Sequence, residues 1–264
     1  MLLVDIGNTR IKWGYLDGAR IGRSRAAVLS AWGPATYARR LFSRQVRPSH
    51  LWVSSVASRQ VNRALARAAQ RAGVAATFVS VPRRGGGVRV GYLEPWRLGV
   101  DRFVAAVGAH ALFPRVPVCV VGVGTAMTVD LIGPDGRHRG GVIIPAPNLM
   151  VETLFTRTHG IQRRAQGGGA GDGAGFFARS TRAGVLLGAR QAAAALIDRA
   201  AEEGRAPYGR RPLVVLTGGG AGAVRPLLKS ASVGVPDLVL RGLAVLAQGE
   251  ARQAPRESTP KNHA

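Results

Sequence analysis

Leu2-Leu3-Val4-Asp5-Ile6-Gly7-Asn8-Thr9-Arg10-Ile11-Lys12-Trp13-Gly14-Tyr15 opens the chain as a hairpin, and the same plan returns in its second half. Leu2-Leu3-Val4 is a short apolar strand, Gly7-Asn8-Thr9 a turn, and Ile11, Trp13 and Tyr15 alternate with other residues along a returning strand. Asp17-Gly18 closes the next turn, where positive φ is tolerated. Val118-Cys119-Val120-Val121 is again apolar and largely β-branched. Gly122-Val123-Gly124-Thr125-Ala126 turns the chain, Met127-Thr128-Val129-Asp130-Leu131-Ile132 returns as a strand, and Gly133-Pro134-Asp135-Gly136 turns it once more. An apolar strand, a Gly/Thr turn, a strand and an Asp-Gly turn, met twice in that order, predict two similar α/β halves split near residue 115.

Working outward, residues 34–46 and 59–73 carry helical spacing, with Leu65, Ala68 and Ala69 on one face of the second. Between them Leu51-Trp52-Val53-Ser54-Ser55-Val56 reads as a buried strand. A helix over 101–113 crosses between the halves, a longer one spans 181–204, and Leu213-Val214-Val215-Leu216 is a buried strand ended by Thr217-Gly218-Gly219-Gly220. Residues 163–175, dominated by Gly, read as a mobile surface loop. From Gln248 the sequence turns polar and reads as a disordered tail. The resulting division is 1–115, 116–247 and a tail of 248–264.

The chain has 264 residues, 46% of them hydrophobic, which suits a packed globular protein and argues against disorder. No apolar run reaches the roughly 18 to 20 residues that span a bilayer. Met1-Leu2-Leu3-Val4-Asp5 lacks the basic start of a secretory signal, and one cysteine, Cys119, cannot form an intramolecular disulfide. A reducing, cytoplasmic setting is the expectation. The net charge of +23 would suit a polyanion, yet only Lys12, Lys229 and Lys261 are lysines and the arginines are scattered along the whole chain. No compact basic run with interleaved aromatics stands out, so dedicated nucleic-acid binding is not expected, whereas anionic nucleotides would be drawn in.

Four motifs carry chemistry, and each has a plainer structural reading. Asp5-Ile6-Gly7-Asn8-Thr9 is either an ordinary hairpin turn or a strand-end carboxylate for Mg²⁺ followed by a phosphate-facing turn. Gly122 to Asp130 is either a glycine-rich hairpin or a second phosphate-facing turn with the Thr125 hydroxyl as donor. Thr217-Gly218-Gly219-Gly220 either connects strand to helix or lies flat against an adenine or ribose. In Leu98-Gly99-Val100-Asp101-Arg102, after Gly91-Tyr92, Asp101 is either a helix cap or a base for a hydroxyl proton, and Arg102 can neutralise a carboxylate or phosphate. The histidines, among them His110, His138 and His159, show no metal-ligand spacing and are expected at surface or helix positions. The sequence lacks both the Walker-type phosphate loop and a Rossmann fingerprint after its first strand.

In this order the motifs resemble the type III pantothenate kinases, in the superfamily of acetate and sugar kinases, heat-shock ATPases and actin. The resemblance runs from Leu2 to about Ala247 and adds Ser54-Ser55-Val56, Gly140-Gly141-Val142-Ile143-Ile144-Pro145, Ser180-Thr181 and Leu238-Val239-Leu240-Arg241-Gly242-Leu243. It implies duplicated actin-like (ribonuclease H-like) domains, each a mixed β-sheet flanked by helices. It implies an ATP phosphate loop of Asp5, Ile6, Gly7, Asn8, Thr9, Arg10, Ile11 and Lys12, with Asp5 organising Mg²⁺ indirectly and Thr125 touching ATP. Tyr92, Gly99, Val100, Asp101 and Arg102 would hold pantothenate, with Asp101 as general base and Thr181 reaching it across a homodimer interface. The implied reaction is ATP-dependent phosphorylation of pantothenate, the first step of coenzyme A synthesis. The rival expectations are another small-molecule kinase of the superfamily and a non-catalytic accessory protein that kept the fold. One departure stands out: the family usually has Asp two residues before the Gly-Thr-Ala, holding a monovalent cation (K⁺ or NH₄⁺), and here that residue is Gly122. Ala146 stands where the family commonly has Gly.

Overall fold

The structure, a computed structural model, describes residues 1–30, 32–42, 47–166 and 175–253. The first sheet is built around β1 (Leu2–Ile6) and β2 (Arg10–Asp17), an antiparallel pair in which Asp5 lies opposite Lys12. β3 (Arg20–Ile21) and β4 (Arg25–Val28) both pair with β2. After α1 (Pro34–Leu41), β5 (His50–Ser55) runs parallel to β1, and after α2 (Arg59–Arg71), β6 (Ala75–Phe78) runs parallel to β5. α2 starts where the Ser58 hydroxyl accepts from the Val61 N–H, and it buries the expected Leu65, Ala68 and Ala69. A short ribbon, β7 (Arg84–Gly85) with β8 (Val88–Arg89), precedes α3 (Val100–Leu112).

The second sheet contains β9 (Val118–Val123), β10 (Ala126–Ile132) and β11 (His138–Pro145). There follow α4 (Pro147–Arg157), α5 (His159–Arg164), α6 (Thr181–Glu203), β12 (Leu213–Thr217), α7 (Ala221–Val224), β13 (Ser232–Gly234) and α8 (Leu238–Gln253). Its strand order, β11-β10-β9-β12-β13, matches β3-β2-β1-β5-β6 of the first sheet one for one. In each sheet the hairpin strands are antiparallel and the two strands on the far side are parallel. The duplication expected from the repeated strand–turn–strand plan is therefore present in the topology, as two mixed sheets flanked by helices.

Strand alternation sorts the side chains into layers. Leu2, Val4 and Ile6 pack outward with α1 and α2, and Cys119, Val121 and Val123 pack outward with α6. Leu3 and Val120 face inward, into a third core shared by both sheets and filled by α3 and α8. Asp5 and Gly122, two residues further along their strands, follow the same alternation onto the inner faces and so occupy equivalent places in the two halves. α3 is buried all round from Arg102 to Ala109 because it lies between α8 and the sheets. The two helices meet at glycines: a Cβ on Gly242 would collide with the Val104 carbonyl oxygen, and one on Gly108 would lie 2.6 Å from that of Leu238.

Two expectations change at this level. The region read as a disordered tail begins inside α8, which continues through Gln248 to Gln253. Its polar Gln248 side chain is held by donating to the Gly18 carbonyl at 3.2 Å. The glycine-rich segment starts later than expected, since Arg163 and Arg164 end α5. Most of that loop (167–174), the end of the first predicted helix (43–46) and the rest of the tail (254–264) lie outside the described residues.

Candidate active site

The Asp5 carboxylate sits two residues before the first turn, on the inner face of β1. The turn is closed by the Gly7 N–H donating to the Arg10 carbonyl at 2.9 Å; its counterpart is closed by Gly124 N–H donating to Ala126 at 3.0 Å. The tips of the two turns meet: Thr9 Oγ1 and Thr125 Oγ1, from opposite halves of the chain, are 3.2 Å apart and exposed. Two glycine-containing turns thus face each other with hydroxyls and backbone amides at their tips, an arrangement suited to polyanionic phosphates.

Asp5 is held well above the ordinary carboxylate range, at about 7. Burial is the main cause and the neighbouring Asp101 carboxylate the second, while the Lys12 ammonium and the nearby Ser54 hydroxyl pull the other way. Asp101 lies in the first turn of α3, where its Oδ1 accepts from the Arg102 backbone N–H at 2.9 Å. It too is shifted upward, chiefly by burial, with the Arg102 N–H and guanidinium opposing. The fold therefore brings together two carboxylates 96 residues apart in sequence (101 minus 5), one beside the opposed turns and one at a helix start.

Arg102 is buried, and each of its three side-chain nitrogens donates to a protein group. Its Nε and Nη2 donate to Asp130 Oδ2 and Oδ1 at 2.9 and 2.6 Å, and its Nη1 donates to the Tyr92 hydroxyl at 3.1 Å. Asp130 Oδ1 also meets His138 Nε2 at 2.8 Å, and the Tyr92 and His138 rings lie 5.6 Å apart. His138 was expected at a surface or helix position; it is 1% exposed in β11. Asp130 and His138 are the residues that sequence reasoning missed as part of this cluster. The one available signal was a polar pair flanking a turn, indistinguishable from solvent-facing hairpin residues.

The remaining expected site residues divide by location. Asn8, Thr9 and Arg10 are exposed at the first turn, whereas the Ile6 and Ile11 side chains are buried in the core. Lys12 Nζ pairs with Asp237 Oδ1 at 2.8 Å, and Asp237 Oδ2 accepts from the Ser24 hydroxyl at 2.6 Å. Gly99 is the N-cap residue of α3 and Val100 its first residue, both half-buried. Thr181 opens α6, capped by the Ser180 hydroxyl accepting from the Ala183 N–H; no hydrogen bond among the described residues links Thr181 to Asp101, Tyr92 or Arg102. Gly122 lies opposite Thr128 and Thr217 across its neighbouring strands, with no carboxylate of its own.

The donor set fits Mg²⁺ in the manner of nucleotide enzymes. Among the described residues no group of three or more His, Cys, Asp or Glu side chains forms a metal cage. Mg²⁺ beside phosphates needs only one or two carboxylates with substrate oxygens and waters. Asp5, whose charge is disfavoured by Asp101, is a carboxylate that a divalent cation would relieve.

Two matched mixed sheets around a shared helical core, with opposed hairpin turns beside a carboxylate pair, define an actin-like α/β protein of the nucleotide-dependent kinase class. A Baf family protein from Campylobacter jejuni has this fold, with a TM-score of 0.61 and 17% identity over 96% of this chain and 100% of that one. So does component A of the (R)-2-hydroxyglutaryl-CoA dehydratase of Acidaminococcus fermentans, with a TM-score of 0.53 and 13% identity over 97% and 98% of the two chains. In sequence, the type III pantothenate kinase family profile matches residues 1–203. The type III pantothenate kinase of Alkalilimnicola ehrlichii is 37% identical over 248 residues, covering 94% of this chain and 97% of its own. That of Stenotrophomonas maltophilia is 37% identical over 249 residues, covering 92% and 95%. The chain belongs to the type III pantothenate kinase family.

Proposed function

We propose that the chain transfers the γ-phosphoryl group of ATP to the primary hydroxyl of pantothenate, giving 4′-phosphopantothenate and ADP, the first step of coenzyme A synthesis. The observation that carries this reading is Asp5 placed just before the first of the opposed Thr9 and Thr125 turns, with the Asp101 carboxylate close enough to hold it above its ordinary range. It gives one group to take the acceptor's proton and another to organise the phosphates. Burial raises the basicity of Asp101, and the Arg102 N–H fixes its Oδ1, so the carboxylate is poised to accept the hydroxyl proton as the oxygen attacks phosphorus. The backbone amides and hydroxyls of the two turns hold the phosphate chain in line with that oxygen. Asp5 would hold Mg²⁺, which when bound neutralises charge on the phosphoryl oxygens. A coupled ADP-release assay tests the proposal. ADP formation should depend on pantothenate; release that ignores pantothenate, or requires a sugar instead, would replace this reading with another kinase of the same fold.

The monovalent-cation requirement that the family resemblance implies is weakened here. Gly122 offers no side-chain oxygen, and an added Cβ would sit 3.1 Å from Thr128 Oγ1, so an Asp would fit only if that hydroxyl rotates. Initial rates at constant ionic strength should differ little between sodium and potassium, and Gly122→Asp should increase the potassium response. A strong potassium requirement in the unmodified chain would show the cation held by other groups. A homodimer is supported by β11, an edge strand that exposes Val142 and Ile143, and by exposed Phe176 and Phe177 shortly before Thr181. A cytoplasmic setting accords with the lone buried Cys119.

A further inference from the structure

We infer that Asp130 and His138 are positioning residues of the acceptor site, acting through Arg102 and Tyr92. Arg102 directly follows Asp101, so whatever fixes its side chain also fixes the first turn of α3. Asp130 grips the guanidinium through both carboxylate oxygens, a fork-on-fork contact that sets its plane as well as its place. With Nε and Nη2 so engaged, Nη1 is the nitrogen left to hold the Tyr92 hydroxyl, and it does so at 3.1 Å. A carboxylate only accepts, so His138 Nε2 carries the hydrogen of its 2.8 Å contact to Asp130 Oδ1, the same oxygen that accepts from Arg102 Nη2, and holds Asp130 as a second donor. The charge of Arg102 is thereby balanced within the protein. Arg102, read from sequence as able to neutralise a carboxylate or phosphate, is paired with the Asp130 carboxylate and serves as an oriented donor to Tyr92.

The backbone is shaped for this contact. Asp130 lies opposite Gly141, but the β10–β11 register shifts between Asp130 and Ile132, so that Ile132 lies opposite His138. Without the extra residue in β11, His138 would alternate to the other face of the sheet; with it, the imidazole turns inward beside Asp130. Gly91 completes the fit: a Cβ there would collide with the His138 carbonyl oxygen, so glycine lets the Tyr92 segment lie directly against β11. His138 Nδ1 is buried with no hydrogen-bond partner among the described residues. A side chain kept for stability alone would be better replaced by an apolar one, since an orphaned buried nitrogen is a cost.

This role rests on the pantothenate kinase reading, and steady-state kinetics of the full-length chain can separate the two. Asp130→Asn keeps the shape and removes the charge, His138→Phe keeps a ring and removes the donor, and His138→Gln returns an amide donor. Asp130→Asn and His138→Phe should raise KM for pantothenate about tenfold or more while KM for ATP stays within about twofold, and His138→Gln should recover most of the lost affinity. A merely structural role would lower Tm without separating the two KM values. Should Asp130→Asn fail to fold, the two His138 variants decide. Folded variants with unshifted pantothenate kinetics, or His138→Gln and His138→Phe behaving alike, would overturn the positioning role alone. Absence of pantothenate-dependent turnover in the unmodified chain would overturn the kinase reading and this role with it.

Discussion

Asp5 shows at the scale of one residue how a buried carboxylate opposes stability. Its folded value of about 7 lies above the ordinary 3.8, so the folded protein keeps a proton that the unfolded chain gives up. The cost of ionising Asp5 is absent in acid, grows as pH rises from the unfolded value, and is complete above the folded one. Asp5→Asn should therefore raise Tm of the ligand-free protein most at about pH 8 and progressively less toward about pH 4. Discounted for partial exposure, the gain at high pH is on the order of 1–2 kcal/mol. Thermal melts across that range check it; a gain independent of pH would mean that Asp5 is not strained. The Asp5 and Asp101 motifs were legible because each sits at a strand end or helix start, where short-range sequence fixes geometry. Arg102 was legible as a charge but not in its role: its partner, Asp130, is 28 residues away on a strand of the other half.

At the scale of elements, the α3–α8 crossing joins the halves. Leu238, Leu240, Leu243 and Ala247 of α8 fill the shared core against Phe103, Val104 and Val107, and Gly108 and Gly242 let the backbones approach. Gly242→Ala should destabilise the protein by about 1–3 kcal/mol, because neither helix can yield without disturbing both sheets. Denaturant unfolding measures this, and a variant as stable as the parent would show that the crossing has room to relax. The hairpins were readable because turn chemistry and alternation agree within a few residues. The end of α8 was not. Gln248, Gly249 and Glu250 read as a polar tail, yet the inward face of α8, with Leu243, Leu246 and Ala247 on the shared core, and the Gln248 contact to Gly18 favour the helix there. The β11 shift was equally invisible, since His138 changes face through pairing with β10 and not through any local signal.

For the whole molecule, duplication accounts for both the resemblance and the asymmetry of the halves. Asp5 and Gly122 occupy matching places on matching strands, yet only the first carries a carboxylate. The other half supplies the opposed Thr125 turn and, through Asp130 and His138, the hold on Arg102. The net charge of +23 adds a general attraction for nucleotides and makes rates sensitive to ionic strength, so comparisons belong at constant salt. The central claim is that this scaffold moves the terminal phosphoryl of ATP onto pantothenate with Asp101 as base. Its most direct test is mass spectrometry of pantothenate incubated with γ-phosphoryl-labelled ATP, using the unmodified chain and Asp101→Asn side by side at matched folded concentration. The label should appear in 4′-phosphopantothenate, with the rate lowered by roughly 10² or more in the variant. Unlabelled pantothenate in both reactions, or equal labelling rates in the two proteins, would contradict it.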